Sequence, residues 1–361
     1  MESRNRSIDI LRSMAIILVV YGHYGALPVT GLLESYLPLY SFHMPLFLFI
    51  SGYLFHDFAA RDYGRFAWRK TKHLALPLLG WNIVYAGIVT ILNWREVTCF
   101  LPPTQEVWTF HNLFIEPFLC GHQYQLNAST WFVGMLYVSL LVYGLFHLAF
   151  KRLPEWASLI VYGGIAVAGL YGATLSHPYW VILPLHVSLA LFFIHFGRCY
   201  ALYIEPFLAR WNGWWALIAC LVLWFVVLRF GGTHYMMVWM NYDGCLITPL
   251  LAGAAGCMFW KKMSDGIARY VLPNKLERWI SQGTWSVMTH HMFVRFLFNW
   301  VFVYLLNHDL AQQEWFRSTL WFQTPYGYFP IDMLFTVGLP VLWQCAFDKS
   351  KAYFAHLRTR L

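Results

Sequence analysis

Charge is scarce in this chain. Only 12% of its 361 residues are Asp, Glu, Lys or Arg, against roughly 25% in a soluble globular protein, and that deficit excludes an ordinary water-soluble fold. The seven cysteines contain no Cys-x-x-Cys pair, which removes the common zinc and dithiol redox motifs. The 15 histidines show neither His-x-x-x-His spacing nor a partner pair of carboxylates on a common helix face, so no metal is expected. Internal repeats and low-complexity tracts are missing. So are interrupted apolar segments at matching positions of two halves, which argues against an inverted-repeat transporter. No polar stretch is long enough for an appended soluble unit, and residues 1–361 are expected to form a single transmembrane domain. The first apolar run is too long for a removed signal peptide and lacks a small-residue cleavage site, so it is expected to stay as helix one.

What the chain does have is apolar sequence, 59% of it, organised into ten runs of near-spanning length at about 8–26, 42–58, 74–94, 131–150, 156–173, 180–203, 213–230, 245–260, 284–306 and 330–347. The fold class expected is an all-α polytopic membrane protein with about ten transmembrane helices. Lys and Arg accumulate in cytoplasmic segments. With ten spans and both termini cytoplasmic, all 25 except Arg95, Arg229, Arg295 and Arg317 fall on the cytoplasmic side. One helix more or fewer destroys that separation. Topology therefore accounts for the net charge of +8 without any nucleic acid, leaving the lipid bilayer and an anionic cytoplasmic ligand as partners.

Within the first run, Arg12 and His23 stand eleven residues apart. Eleven steps of about 100° return to nearly the same helix face, roughly 16 Å further along the axis. An Arg at bilayer depth costs at least about 2.5 kcal/mol, so such groups usually face a water-filled or ligand-filled interior. Snorkelling of Arg12 to the headgroups, with His23 hydrogen-bonded to a neighbouring helix, explains the pair about equally well. Arg69, Lys70 and Lys72 crowd the entry to the third run, where topogenic bias and convergence on a phosphate-sized target are both readings. Ser51 and Gly52 interrupt the Phe and Leu of the second run, which close helix packing explains at least in part. Trp131 and Phe132 open the fourth run as an aromatic belt would. His290 and His291 are adjacent in the ninth, so both cannot face the same way. Two exterior segments, about 95–130 and 231–244, suit a lid and a sugar-binding or interfacial aromatic patch; Cys99 and Cys120 share the first and are candidates for a disulfide.

Taken together, these residues resemble the acyltransferase 3 family of integral membrane acyltransferases, and within it the fucose 4-O-acetylase-like branch. Arg12 and His23 match the family's Arg and His separated by ten residues. Phe49, Ser51, Gly52 and Leu54 match its FxSGxL-like second helix, with His43, Met44 and Pro45 ahead of them. Arg69 and Lys72 match its R-x-x-R element, with Lys in the last place; a shift by one residue pairs Lys70 with His73 instead. Trp131 and Phe132 match its fourth helix. Ser286 and His291 match its late Ser and His, with Met288 where a Tyr is usual and His290 a rival for the last position.

The resemblance implies a bacterial inner-membrane or plasma-membrane enzyme. It would move an acetyl group from cytoplasmic acetyl-CoA to a hydroxyl of a cell-surface sugar, polysaccharide or lipid-linked glycan. On that reading Arg12, Arg69 and Lys72 hold the donor's phosphates, with Ser51 and Gly52 also at the donor site, and His23 is the general base, assisted by Arg12. Ser51 and His291 are candidate oxyanion donors, and Trp131 is a candidate for the acceptor side. The competing class is a transporter or flippase of a glycolipid or small anion, in which Arg12 and His23 bind substrate or relay protons.

Overall fold

The computed structural model describes residues 5–24, 38–55, 62–94, 107–119, 124–175, 178–231, 235–242, 244–304 and 328–358. Cys99 and Cys120, with their expected disulfide, lie outside these residues, as do His122, Gln123, His234 and Asp243. Ten helices among the described residues, the shortest of 11 residues, fall on the ten expected runs. They begin with α1 (Arg6–Gly22), α2 (His43–Tyr53) and a composite α3, in which Tyr63–Lys70 passes through a π turn at Thr71–Ala75 into Leu76–Trp94. Next come α4 (Trp131–Ala149), α5 (Glu155–Ala173) and α6, the last running from Ile182–Cys199 through a π turn at Tyr200–Ile204 into Glu205–Leu208. α7 (Gly213–Gly231), α8 (Thr248–Tyr270), α9 (Lys275–Phe298, continued by a π turn at Asn299–Tyr304) and α10 (Phe329–Arg358) complete the set. A hairpin of β1 (Tyr235–Met236) and β2 (Asn241–Tyr242) sits in the α7–α8 connection, with Tyr235 opposite Tyr242.

Among the described residues six helices, α3 to α7 and α10, are long and apolar enough to cross a membrane. The other four depart from that description for two reasons. α1 has 17 residues and α2 only 11, and the latter is roughly 16 Å long, about half a bilayer core. α8 and α9 have the length but carry Lys261, Lys262, Asp265 and Arg269, and Lys275, Glu277, Arg278 and Arg295. These four pack together: α1 lies against α2, α8 and α9, and α2 against α8. The apolar helices pack onto them, α10 on α9, α7 on α8 and α6 on α2. The result is a multi-pass membrane protein in which α8 and α9 bury Lys261 and Arg295, while Arg269, Lys275 and Arg278 near their ends are exposed. Arg295, assigned by charge counting to the exterior face, is one of the inward groups, only 1% exposed.

Between α2 and α6 the backbones nearly touch. A Cβ on Gly52 would overlap the carbonyl of Ile194, and one on Gly197 would overlap the carbonyl of Phe49. The Ser51 hydroxyl donates to the Phe47 carbonyl of its own helix at 2.9 Å. Gly52 is therefore a crossing point, the small-residue packing that drives helix association where water supplies no hydrophobic force.

The register of α1 against α9 is fixed by polar links. Arg6 pairs with Glu277 (Nε to Oε1, 2.7 Å), the Ser13 hydroxyl donates to the Glu277 carbonyl at 2.8 Å, and the Ser281 hydroxyl donates to Asp9 at 2.9 Å. Arg6 and Ser13 of α1 both reach Glu277 near the start of α9, whereas His23 at the end of α1 lies against the ring of His291 further along α9, so the two run parallel, as the first and ninth spans of the expected topology must. A second polar knot ties α8 to its neighbours. The buried Lys261 ammonium donates to Glu205 at 2.6 Å and Asp265 at 2.7 Å, while the Tyr53 hydroxyl donates to Glu205 at 2.7 Å.

Candidate active site

Because α1 and α9 are held in register, the residue that ends α1 meets a defined turn of α9. His23 is the C-cap of α1, with φ −79° and ψ −2°, and its ring lies 5.1 Å from that of His291, centroid to centroid. His291 donates from Nδ1 to the Val287 carbonyl at 2.8 Å. A carbonyl can only accept, so the neutral ring carries its proton on Nδ1 and has a lone pair on Nε2. That Nε2 is buried and meets no hydrogen-bond partner among the described residues. His43, first residue of α2, has the same arrangement, donating from Nδ1 to the Leu39 carbonyl at 2.7 Å. Arg295 and His43 also lie near His23.

A cavity of about 70 Å³ opens beside these rings, lined by His23, His43, Tyr40, Ser129, Trp131 and Met288 among others. Its far wall is Met237 and Val238 from the hairpin connection, which also receive His186 Nε2 at 2.9 and 3.2 Å through their carbonyls. Trp131 is held against the His186 ring at 5.2 Å. About 70 Å³ is room for roughly two waters. The space therefore suits a small reacting group.

Behind His23 stands a buried ion pair. Arg295 donates from Nη1 to the His23 carbonyl at 2.6 Å, places Nε 3.6 Å from Asp332 of α10, and covers the Tyr24 ring at 4.0 Å. Asp332 in turn accepts from the Thr336 hydroxyl at 2.8 Å. Arg295 is 1% and Asp332 0% exposed, so each charge depends on the other for solvation.

The remaining sequence candidates distribute over other places. Arg12 lies on α1 below the histidines, where its charge and that of Arg69 bear on Lys70. Lys72 and His73 sit on the π turn of α3 and line a second cavity of about 420 Å³ between α3, α9 and α10. Lys72 of one register and His73 of the other both line this cavity, while Lys70 lies within reach of the charge of Arg12. Of the adjacent pair, His291 faces His23, whereas His290 points the other way, accepting from or donating to the Tyr85 hydroxyl at 3.0 Å. Ser51 and Gly52 belong to the α2–α6 crossing rather than to either cavity. Sequence reasoning gave no role to His43, Arg295 or Asp332. A buried Arg within an apolar run was the available signal for Arg295, the same signal that picks out Arg12.

This geometry defines a class: an all-α, multi-pass membrane protein with a histidine cluster around a small interior cavity. The comparison with known families agrees and sharpens it. The acyltransferase domain model of the acyltransferase 3 family matches residues 5–281, and the chain belongs to that family. Two curated relatives are both named Nodulation protein NolL. The one from Sinorhizobium fredii is 28% identical over 182 residues, 48% of this chain and 44% of that protein. Its counterpart from Mesorhizobium japonicum is 27% identical over 180 residues, 46% of this chain and 42% of that protein. The matched stretch thus spans less than half the length of either relative. No solved structure matches.

Proposed function

We propose that this protein is a membrane O-acetyltransferase that moves an acetyl group from cytoplasmic acetyl-CoA to a hydroxyl of a cell-surface sugar, polysaccharide or lipid-linked glycan, as expected of the fucose 4-O-acetylase-like branch. The observation that carries the reading is the His23–His291 pair beside a cavity with room for a two-carbon acyl group. Family membership supplies the reaction class.

In this mechanism His23 takes the proton of the acceptor hydroxyl as its oxygen attacks the thioester carbonyl. The tetrahedral intermediate collapses, the carbon–sulfur bond breaks, and the departing thiolate recovers the proton from the His23 imidazolium. One ester forms, one thioester is lost, and the protonation state of the enzyme is restored. His291 orients and accepts: with Nδ1 committed to Val287, its neutral ring has no proton to give an oxyanion. The Ser51 hydroxyl is likewise committed to Phe47. Trp131 forms the acceptor side of the cavity. Arg12, Arg69 and Lys72 serve the donor's phosphates from the cytoplasmic side, Arg12 about 16 Å from His23 along α1, a span comparable to the pantetheine arm.

Membranes containing the protein are to be incubated with acetyl-labelled acetyl-CoA, reading alkali-labile label in the polysaccharide and glycolipid fractions. The wild type is expected to incorporate label and His23→Ala to lose at least about a hundredfold, the scale of a general base. Full activity in His23→Ala overturns the base assignment. No incorporation by the folded wild type, with glycolipid movement altered by the same substitution, overturns the transferase reading in favour of transport.

A further inference from the structure

The cavity between α3, α9 and α10 has its own chemistry. Two basic side chains, Lys72 and His73, project into it from the π turn of α3, and a third, Lys351, from the far end of α10. Aromatic rings from two helices, Trp285 of α9 and Trp343 of α10, form walls between these basic groups. Asp348, which accepts from Gln344 at 3.1 Å, adds an acceptor. At about 420 Å³ the space lies within the range of small-molecule sites. Cations alone would describe a phosphate or headgroup site, and aromatic walls alone a lipid-facing groove. Flat rings, basic groups and one acceptor together match a nucleotide, with ring stacking for the base, cations for the phosphates and a carboxylate for an exocyclic amine.

Its position matters equally. The α9 turn that bounds this cavity with Trp285, Ser286 and His290 is the turn that presents Met288 to the small cavity and His291 to His23. The π turn gives α3 an extra residue at the point where Lys72 and His73 enter, a device common at ligand sites. Lys351, Trp343 and Asp348 lie on α10, and Trp285 on α9, all beyond the residues 5–281 matched by the family.

We propose that this cavity binds the 3′-phosphorylated adenosine diphosphate end of the acyl donor, with Lys72 and Lys351 on its phosphates, Trp343 and Trp285 against its base, and α10 serving as the nucleotide-recognition helix. The proposal rests on the acyl-donor reading above and names the part of the chain that selects the donor's nucleotide.

The test uses the full chain, purified in detergent, with acetyl-CoA and acetyl-pantetheine as alternative donors and adenosine 3′,5′-bisphosphate as a direct binding probe. Variants are Lys351→Gln and Trp343→Leu, with thermal unfolding to confirm that each folds. The KM for acetyl-CoA is expected to rise about tenfold or more in each variant, the loss of one charge-assisted contact, with kcat retained. The KM for acetyl-pantetheine, which has no nucleotide, stays as in the wild type. Equal effects on both donors, or no effect on either, overturn the proposal while leaving the transferase reading intact. If no transfer occurs at all, probe binding decides: binding weakened by Lys351→Gln upholds the nucleotide site although the transferase reading fails. Unchanged binding, a lack of binding, or equal competition by an anionic lipid headgroup overturns it.

Discussion

The Arg295 guanidinium donates to the backbone carbonyl of His23 at 2.6 Å, so the residue that closes α1 is gripped through its main chain by a cation from α9. Asp332 of α10 holds the other side of the same guanidinium. Arg295→Ala leaves the buried Asp332 carboxylate without its cation, and a loss of about 3 kcal/mol or more in stability is expected. Arg295→Lys keeps the charge but not the planar fork, so it cannot serve the carbonyl and Asp332 with two fixed donors. It is expected to fold and to slow acetyl transfer about tenfold. Thermal unfolding together with label incorporation separates the two effects; full activity in the Lys variant would show that the grip on His23 has no catalytic weight.

Gly52→Ala tests whether the Ser-Gly motif of α2 serves packing. Its Cβ would overlap the Ile194 carbonyl, and a backbone cannot yield as a side chain tip does. Destabilisation near the upper end of overpacking effects, about 3 kcal/mol, is expected. Ser51→Ala, which removes only a bond to Phe47 within the helix, is expected to change stability little and acetyl transfer less than threefold. A larger loss of transfer by Ser51→Ala in a stable protein would return Ser51 to the donor site.

The Arg6–Glu277 clamp gives a pH signature. Hydrogen bonding to Arg6 holds the Glu277 carboxyl below its ordinary value of 4.5. A carboxyl whose folded-state value is depressed contributes stability above its unfolded value and loses it as pH falls through the folded one. Glu277→Gln is therefore expected to unfold at a lower temperature than wild type at neutral pH, with the difference closing as pH falls below about 4.5. A gap that persists unchanged to pH 3 would mean the clamp works through shape and not charge.

The ten helices were legible because the bilayer demands apolar, internally bonded segments, and such segments announce themselves by length. The end of α2 at Tyr53 was not: Phe55 continues the apolar run and is buried although it lies past the helix, because apolarity reports burial whether or not a segment is helical. Arg12 and His23 could be read because they share one helix, where spacing fixes the face. His43, His291, Arg295 and Asp332 come to His23 from three other helices, and no local period encodes that convergence. Arg295 carried a readable signal but was absorbed by charge counting, which treats every basic residue as a vote on topology. The Ser-Gly motif was readable as backbone approach, although its partner carbonyl at Ile194 was not.

A single turn of α9 stands between the two cavities, with His290 on one side and Met288 on the other. For a protein in an energised membrane, such a partition is electrical insulation. On the transferase reading, an acyl group handed past one helix turn needs no continuous column of water, so the two cavities need not join into a path for protons and ions.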